Sequence, residues 1–331
     1  MSERSKRAQI MILKVLRDIN APAGAARIAE KLEGEGVDLK PRSIRFHLAE
    51  LDRRGFTVLV SRRRGREITD AGRTELLRSN IAERIGFIAA RVDTLGYRMR
   101  LNTRQRSGTV IANIAIIESS GYIKSLSSMR PVFEAGLGMG DRIFVAKPGD
   151  RIGEISVPKR SLAIVTVCSI TINGLFLHEC IPVNSRYGGL LEIRDGRPER
   201  FVQLVEYRGT TMDPLETFIR AGMTEVYKCA TSGHGLIGAS LREIPSAAIP
   251  EARRIQAWAR ERGMGGILAI GKPNRPLLDI PVSEGRAGML VLGGLNPIAA
   301  MIERGGKMTI RPLAGLVELD RFESYENLMG L

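Results

Sequence analysis

Nine lysines and arginines stand within residues 40–66 against two acidic residues, and their spacing points to a chemistry. In "LKPRSIRFHLAELDRRGF", residues 39–56, Ile44, Leu48 and Leu51 recur at helical intervals and form one apolar stripe. At about 100° per residue, Arg42, Phe46, Ala49 and Arg53 point the other way, with Ser43, Arg45 and Glu50 on the flanks. Shortly after, "SRRRGRE" sets Arg62, Arg63, Arg64 and Arg66 around Gly65. A guanidinium binds phosphate oxygens, and from a helix it also reaches guanine O6 and N7 as a fork. An apolar ring can touch a thymine methyl. Arg42, Arg45 and Phe46 are therefore expected in a DNA groove, with Ser43 and Arg53 on the same face. Arg62, Arg63, Arg64 and Arg66 are expected on phosphates. The competing reading of Phe46 is packing against a neighbouring domain, and His47, nearer the apolar stripe, is read as structural.

Charge supports that reading. The 40–66 segment carries half of the net charge of +14, which is how a polyanion-binding surface is written in sequence. Groups for catalysis are sparse. The chain has three histidines (His47, His178, His234) and no HExxH, GxSxG, P-loop or GxGxxG opening a helix after a strand. No enzyme, catalytic residue, cofactor or metal site is expected. Cys168, Cys180 and Cys229 are scattered, odd in number and without CxxC spacing, so neither a disulfide framework nor a zinc site is written here. All three sit in apolar contexts suited to burial, which argues against redox sensing.

A second chemistry is written near the C-terminus. "VLGGLNPIAAMIE" runs from a strand through Gly293 and Gly294 into a helix with Asn296 as N-cap and Pro297 at the first helical position. "RGTTMDPLETFI" repeats the arrangement with Asp213 and Pro214. Free N–H groups at a helix start favour carboxylate or phosphate. Thr210, Thr211, Asn296, Gly293 and Gly294, with Arg186 and Arg286 as basic residues nearby in sequence, are the candidate contacts for an acidic effector. Two ordinary capped helices are the competing reading.

Elements must hold these groups. "RAQIMILKVLRDIN" predicts a helix with Ile10, Leu13, Leu16 and Ile19 inward, and "AGAARIAEKLEGEG" a second with Ile28 and Leu32 inward, ended by Gly34 and Gly36. The helix from Pro41 follows, closed by Gly55. Then come a strand Phe56–Val60, an arginine turn, a short return strand ending at Thr69 and a helix from Asp70. Three helices and a basic hairpin make a winged helix-turn-helix over residues 1–78. Ile81, Ile85, Ile88, Val92 and Leu95 predict a connecting helix within 79–105, whose apolar stripe faces its own core or a second subunit.

Residues 106–331 read as an effector-sensing and dimerisation domain with an internal repeat. At an offset of 125, "SG", "GMG" and "KP" at 107, 138 and 147 meet the same blocks at 232, 263 and 272. Each half predicts strand, helix, two strands and helix. The expected fold class is α+β, a winged helix followed by an α/β sensor of two pseudo-symmetric lobes near 107–230 and 232–331. The GMG blocks are read as caps and tight packing. No apolar run reaches the roughly 18 residues of a membrane span, and "MSERSKRAQI" lacks the apolar stretch of a signal peptide, so a cytoplasmic protein is expected.

Several blocks resemble one family, the NrpR-type nitrogen-regulation repressors found mainly in methanogenic archaea. They are "IRFHLAELDRRG", "ITDAG", "VFEAGLGMGDRI", "TVCSITINGLFL", "IPVNSRYGGLLE", "YRGTTMDPLETFI", "SLREIP", "GKPNRPLLDIPV" and "GMLVLGGLNPIAA". The resemblance covers nearly the whole chain. It implies a homodimeric repressor of nitrogen-fixation and ammonium-assimilation genes, bound to palindromic operators on double-stranded DNA and released by 2-oxoglutarate. Some members of that family carry two sensor domains or a detached winged helix, so a second sensor protein is a possible partner. Two other readings stand beside it: a winged-helix RNA-binding regulator, and a metabolic enzyme with an appended DNA-binding domain.

Overall fold

The computed structural model describes residues 3–34, 37, 39–79, 87–102, 107–153 and 155–330. The chain divides into two compact units, Met1–Ile85 and Gly86–Leu331.

In the first unit α1 (Glu3–Ile19), α2 (Ala25–Gly34) and α3 (Pro41–Arg53) precede β1 (Thr57–Ser61), β2 (Gly65–Ile68) and α4 (Asp70–Ser79). Leu13 and Leu16 are buried as expected, joined by Ile12 and Val15, while Ile10 and Ile19 are only half-buried. Ile28, Leu32, Ile44, Leu48 and Leu51 close the same core. Each fully buried aliphatic contributes roughly 1.5–3 kcal/mol, so the α3 stripe fixes which face is left outside. The helix stops at Gly55, whose φ of +71° is left-handed; Gly55 N–H bonds Asp52 O at 3.0 Å and Phe56 N–H bonds Leu51 O at 2.9 Å. Gly36 of the expected second helix end lies outside the described residues.

In the second unit the described part of the expected connecting helix is α5 (Phe87–Arg98). Ile88, Val92 and Leu95 are buried in this unit's own core, so α5 is an integral layer of it and not a free connector. Arg91 Nε donates to Leu313 O at 2.8 Å. Ile81 and Ile85 lie outside the described residues.

Two antiparallel sheets follow. The first runs β14 (Met308–Glu318), β4 (Ser107–Glu118), β8 (Ser161–Val167), β5 (Arg142–Ala146), β15 (Glu323–Ser324), with β3 (Leu101–Asn102) also on β4. The second runs β10 (Arg197–Glu206), β9 (Asn184–Arg194), β11 (Gly235–Pro245), β13 (Arg286–Leu292), β12 (Ile267–Ile270). A short hairpin pairs β6 (Arg151–Ile152) with β7 (Ile155–Ser156). In the first half the crossover is two short helices, α6 (Tyr122–Ser127) and α7 (Arg130–Glu134), where one helix was expected; Pro131 lacks the N–H to continue a turn from above. In the second half it is α11 (Ile249–Glu261). Then α8 (Thr171–His178) follows β8 as α12 (Asn296–Glu303) follows β13, at the offset of the repeat.

The lobes are not the contiguous halves that the repeat predicts. β9 and β10 of the first repeat join the sheet of the second through β11, and β14 and β15 of the second join the sheet of the first through β4 and β5. Each repeat thus lends its last two strands to the other's sheet. Apolar patterning specifies that a segment is a strand and which face is inside, but not which edge it joins. Two further helices, α9 (Pro214–Arg220) and α10 (Val226–Ser232), cover the second sheet, and α13 (Tyr325–Met329) ends the chain's described part. The GMG blocks meet: a Cβ on Gly140 would lie 1.8 Å from Gly263 O. Cys168 and Cys229 are buried, but Cys180 is exposed, because it follows the end of α8 in a left-handed turn.

Candidate nucleic-acid interface and effector site

Burial of Ile44, Leu48 and Leu51 turns Arg42, Ser43, Arg45, Phe46 and Arg53 to the outside of α3, and all five are exposed, Phe46 at 67%. The Phe46 ring lies edge-on to His47, at 5.6 Å between centroids. His47 is half-buried, and desolvation holds its pKa below the ordinary imidazole value, in keeping with a neutral, structural ring. Arg62, Arg63 and Arg64 form the exposed turn between β1 and β2. With Arg42 and Arg45, their side chains make no hydrogen bond or ion pair among the described residues. Arg53 is paired with Glu50 on the helix surface.

Arg66 departs from the phosphate-contact expectation. Its Nε donates to Asp52 at 2.6 Å, and its backbone is bonded in both directions to Ala23. Asp52 also accepts from Thr57 Oγ1 at 2.6 Å. One carboxylate on α3 therefore holds both strands of the wing and positions the turn between them. Its signal in the sequence is faint: an acidic residue inside a basic run. Gly65 completes the hinge of the wing. Its φ is +93°, and a Cβ would lie 2.3 Å from the Ala23 backbone, so no other residue fits without displacing that strand.

The expected effector contacts fall into separate places. Asn296 is the first residue of α12 and not its N-cap; it is buried, its Oδ1 accepting from Gly238 N–H at 2.9 Å and its Nδ2 donating to Gly238 O and Leu137 O. Gly293 and Gly294 are buried there too, and a Cβ on Gly294 would lie 2.3 Å from Val167 O. These glycines let the two lobes approach backbone to backbone. Asp213 is the N-cap expected of it, accepting from Leu215 and Glu216 N–H at 2.9 and 3.1 Å. It fills the helix start with a carboxylate, leaving Thr210 and Thr211 beside a group that repels a second anion. Burial pushes its carboxyl up to about 6.

Arg186 and Arg286 lie toward the far end of β11, beside Glu243 and Pro245. From Gly238 to Glu243 a strand covers about 17 Å, so these arginines and the α12 start do not share one pocket. Arg186 is already engaged, 2.7 Å from Glu243 and stacked on Tyr187. Glu243 is 1% exposed; burial pushes its carboxyl up, and the bonds from Ser283 and Arg186 outweigh this and hold it below the ordinary range. Arg286 Nη1 is buried without a partner among the described residues.

A group with no assigned role stands out instead. Arg242, inside the apolar strand "GLIGASLREIP", is completely buried. Its Nη1 donates to Ser169 O at 2.9 Å and Asn173 Oδ1 at 2.5 Å, and its Nε to Ser240 Oγ at 3.2 Å. Desolvation lowers its pKa to about 10, so it is still a cation at neutral pH. Cys168 and Tyr207 adjoin it, and burial raises both, the thiol to about 12. An arginine in a strand that alternation would bury was the available signal. Among the described residues no cluster of three or more His, Cys, Asp or Glu could hold a metal, and no helix is long and apolar enough to cross a membrane.

Known proteins are similar along nearly the whole chain. A family model described as NrpR regulatory domains NRD1 and 2 matches residues 85–324, and one described as the Ribonuclease R winged-helix domain matches residues 10–76. Global nitrogen regulator NrpRI of Methanosarcina mazei is 32% identical over 96% of this chain and 98% of its own length. Global nitrogen regulator NrpR of Methanococcus maripaludis is 29% identical over 95% of this chain, which spans 54% of that longer protein. The crystal structure of a nitrogen repressor-like protein from Methanococcus jannaschii shares the fold, with a TM-score of 0.60 and 24% identity over 71% of this chain and 97% of that one.

Proposed function

The chain belongs to the NrpR family of nitrogen regulators, and from that premise we propose that it is a cytoplasmic, homodimeric repressor of nitrogen-assimilation and nitrogen-fixation genes. It binds palindromic operators through α3 and the wing, and 2-oxoglutarate releases it. The observation that carries the DNA reading is the exposure of Arg42 and Arg45 on α3 and of Arg62, Arg63 and Arg64 in the turn, without side-chain partners among the described residues, with Phe46 bare on the same helix. A solvated cationic face explains the charge alone; it gives no reason to expose a phenylalanine ring, which gains from a thymine methyl or a base edge. Val58 and Leu59 on β1 are exposed as well and give each face of the wing an apolar residue.

In this mechanism the larger units pair and set the spacing of two winged helices on half-sites about one helical turn apart. A ligand that binds more tightly to the mis-spaced arrangement weakens operator binding by its difference in affinity for the two states. A 100-fold loss corresponds to about 2.7 kcal/mol, within the usual allosteric range. The experiment is a gel-shift titration on a palindromic duplex with and without 2-oxoglutarate. We expect nanomolar-range binding relieved at millimolar ligand; unchanged affinity removes the effector assignment, and equal affinity for unrelated duplexes removes the operator. The winged-helix match named for a ribonuclease motivates the second reading, RNA binding, which predicts tighter binding to single strands than to the duplex in the same assay.

A further inference from the structure

Arg242 is a buried cation without an anion. Its fork leaves β11 on the face that carries Ser240 and reaches the loop opening α8, so its bonds cross from the five-stranded sheet to the segment that follows the six-stranded one. All three of its acceptors (a carbonyl, an amide oxygen and a hydroxyl) are neutral. Nη2 has no partner among the described residues. A charge taken from water needs an opposite charge as well as hydrogen bonds, and a missing counter-ion is costly.

The neighbouring acids do not supply it. Glu243 is the next residue in the strand and so points to the opposite face, where Arg186 and Ser283 hold it. The Asp213 carboxylate is committed to the start of α9. Tyr207 and Cys168, both adjoining, are kept in their neutral forms by burial. Tyr207 closes over the same face: a Cβ on Gly188, opposite Ser240 in the sheet, would lie 3.2 Å from the Tyr207 hydroxyl and 2.9 Å from Pro214.

We propose that Arg242 is the anchor of the effector site: one carboxylate of a small organic acid enters between the five-stranded sheet and the start of α8 and pairs with the free Nη2. Ser240 and the Tyr207 hydroxyl lie on the same face to orient it. A carboxylate supplies the missing charge and the missing acceptor together. Because the arginine's bonds come from both sheets' chains, the acid stabilises one arrangement of the lobes over another, and that difference is what an effector needs to shift a two-state protein. The site rests on the effector reading above only for the identity of the acid.

The test uses the full chain. Thermal shift and calorimetric titration are run with 2-oxoglutarate, succinate and sulfate on the wild type, Arg242→Met and Arg242→Lys. We expect a stabilising acid whose affinity falls about 100-fold in Arg242→Met, as when one partner of a buried charge pair is truncated, and is partly kept in Arg242→Lys. Equal 2-oxoglutarate binding by wild type and Arg242→Met overturns the site and leaves the effector reading standing. An acid other than 2-oxoglutarate whose effect disappears in Arg242→Met supports the site and removes 2-oxoglutarate. No response of the wild type to any of the three overturns both. Should Arg242→Met fail to fold, hydrogen exchange on the wild type decides: ligand-induced protection at 169–173 and 240–243 is expected, and protection confined to other segments overturns the site.

Discussion

Arginine does opposite things in the two units. In the winged helix Arg42, Arg45, Arg62, Arg63 and Arg64 stand in solvent, their side chains without partners among the described residues. In the larger unit Arg186 is drawn onto a fully buried glutamate, and Arg242 is itself fully buried. A solvated guanidinium costs the fold almost nothing and stays available to phosphate. A buried one carries a desolvation penalty of several kcal/mol, so it persists only where partners or a ligand offset it. Position relative to water, and not residue type, separates the surface that binds a polyanion from the interior that holds a single charge.

Charge removal should therefore act on binding in one unit and on stability in the other. Replacing Arg62, Arg63 and Arg64 together by alanine should weaken every duplex by roughly two to three decades at low salt and reduce the salt slope by about 2.7. The melting temperature should not move, since surface substitutions stay within about 0.5 kcal/mol. Fluorescence titration over a salt series and a melting curve read the two halves of this expectation, and an unchanged slope would take the wing off the phosphates.

Arg186→Met should do the reverse. It strands Glu243 in the interior and should destabilise the larger unit by about 3 kcal/mol, seen as a melting temperature lower by several degrees. A shift as small as that of the wing triple variant would mean that burial does not divide the two sets.

The smallest effect concerns pH. The Asp213 carboxyl is raised to about 6 in the folded protein from an ordinary 3.8, so the unfolded chain releases that proton first. Its contribution is full below about pH 4 and declines as pH rises to 6. Asp213→Asn keeps the cap acceptor without the titration. From pH 4 to 7 the wild type should lose a few degrees of melting temperature relative to this variant. A constant difference would place the carboxylate in a wetter site than the fold gives it.

Much was legible without coordinates. The α3 stripe, its closure at Gly55, the basic hairpin, the Asp213 cap and the repeat offset all follow from short-range periodicity and turn chemistry, and each is where the residues place it. The pooled effector contacts were not. Asn296 suits a cap by its type and its place before Pro297, yet its amide is spent on the Gly238 backbone in β11. Arg66 looked like its three neighbours until Asp52 claimed it.

What the amino-acid order determined by itself was local: which segments are helix or strand, which face of each is apolar, and where charge accumulates. Those properties depend on residues within a few positions of one another. The tertiary structure alone decided that β9 and β14 trade sheets, that Gly140 meets Gly263, and that Arg242 ends between the lobes with one nitrogen unmatched among the described residues. Edge pairing and burial are settled by partners dozens to about two hundred residues apart, and no local pattern encodes the address of a distant partner.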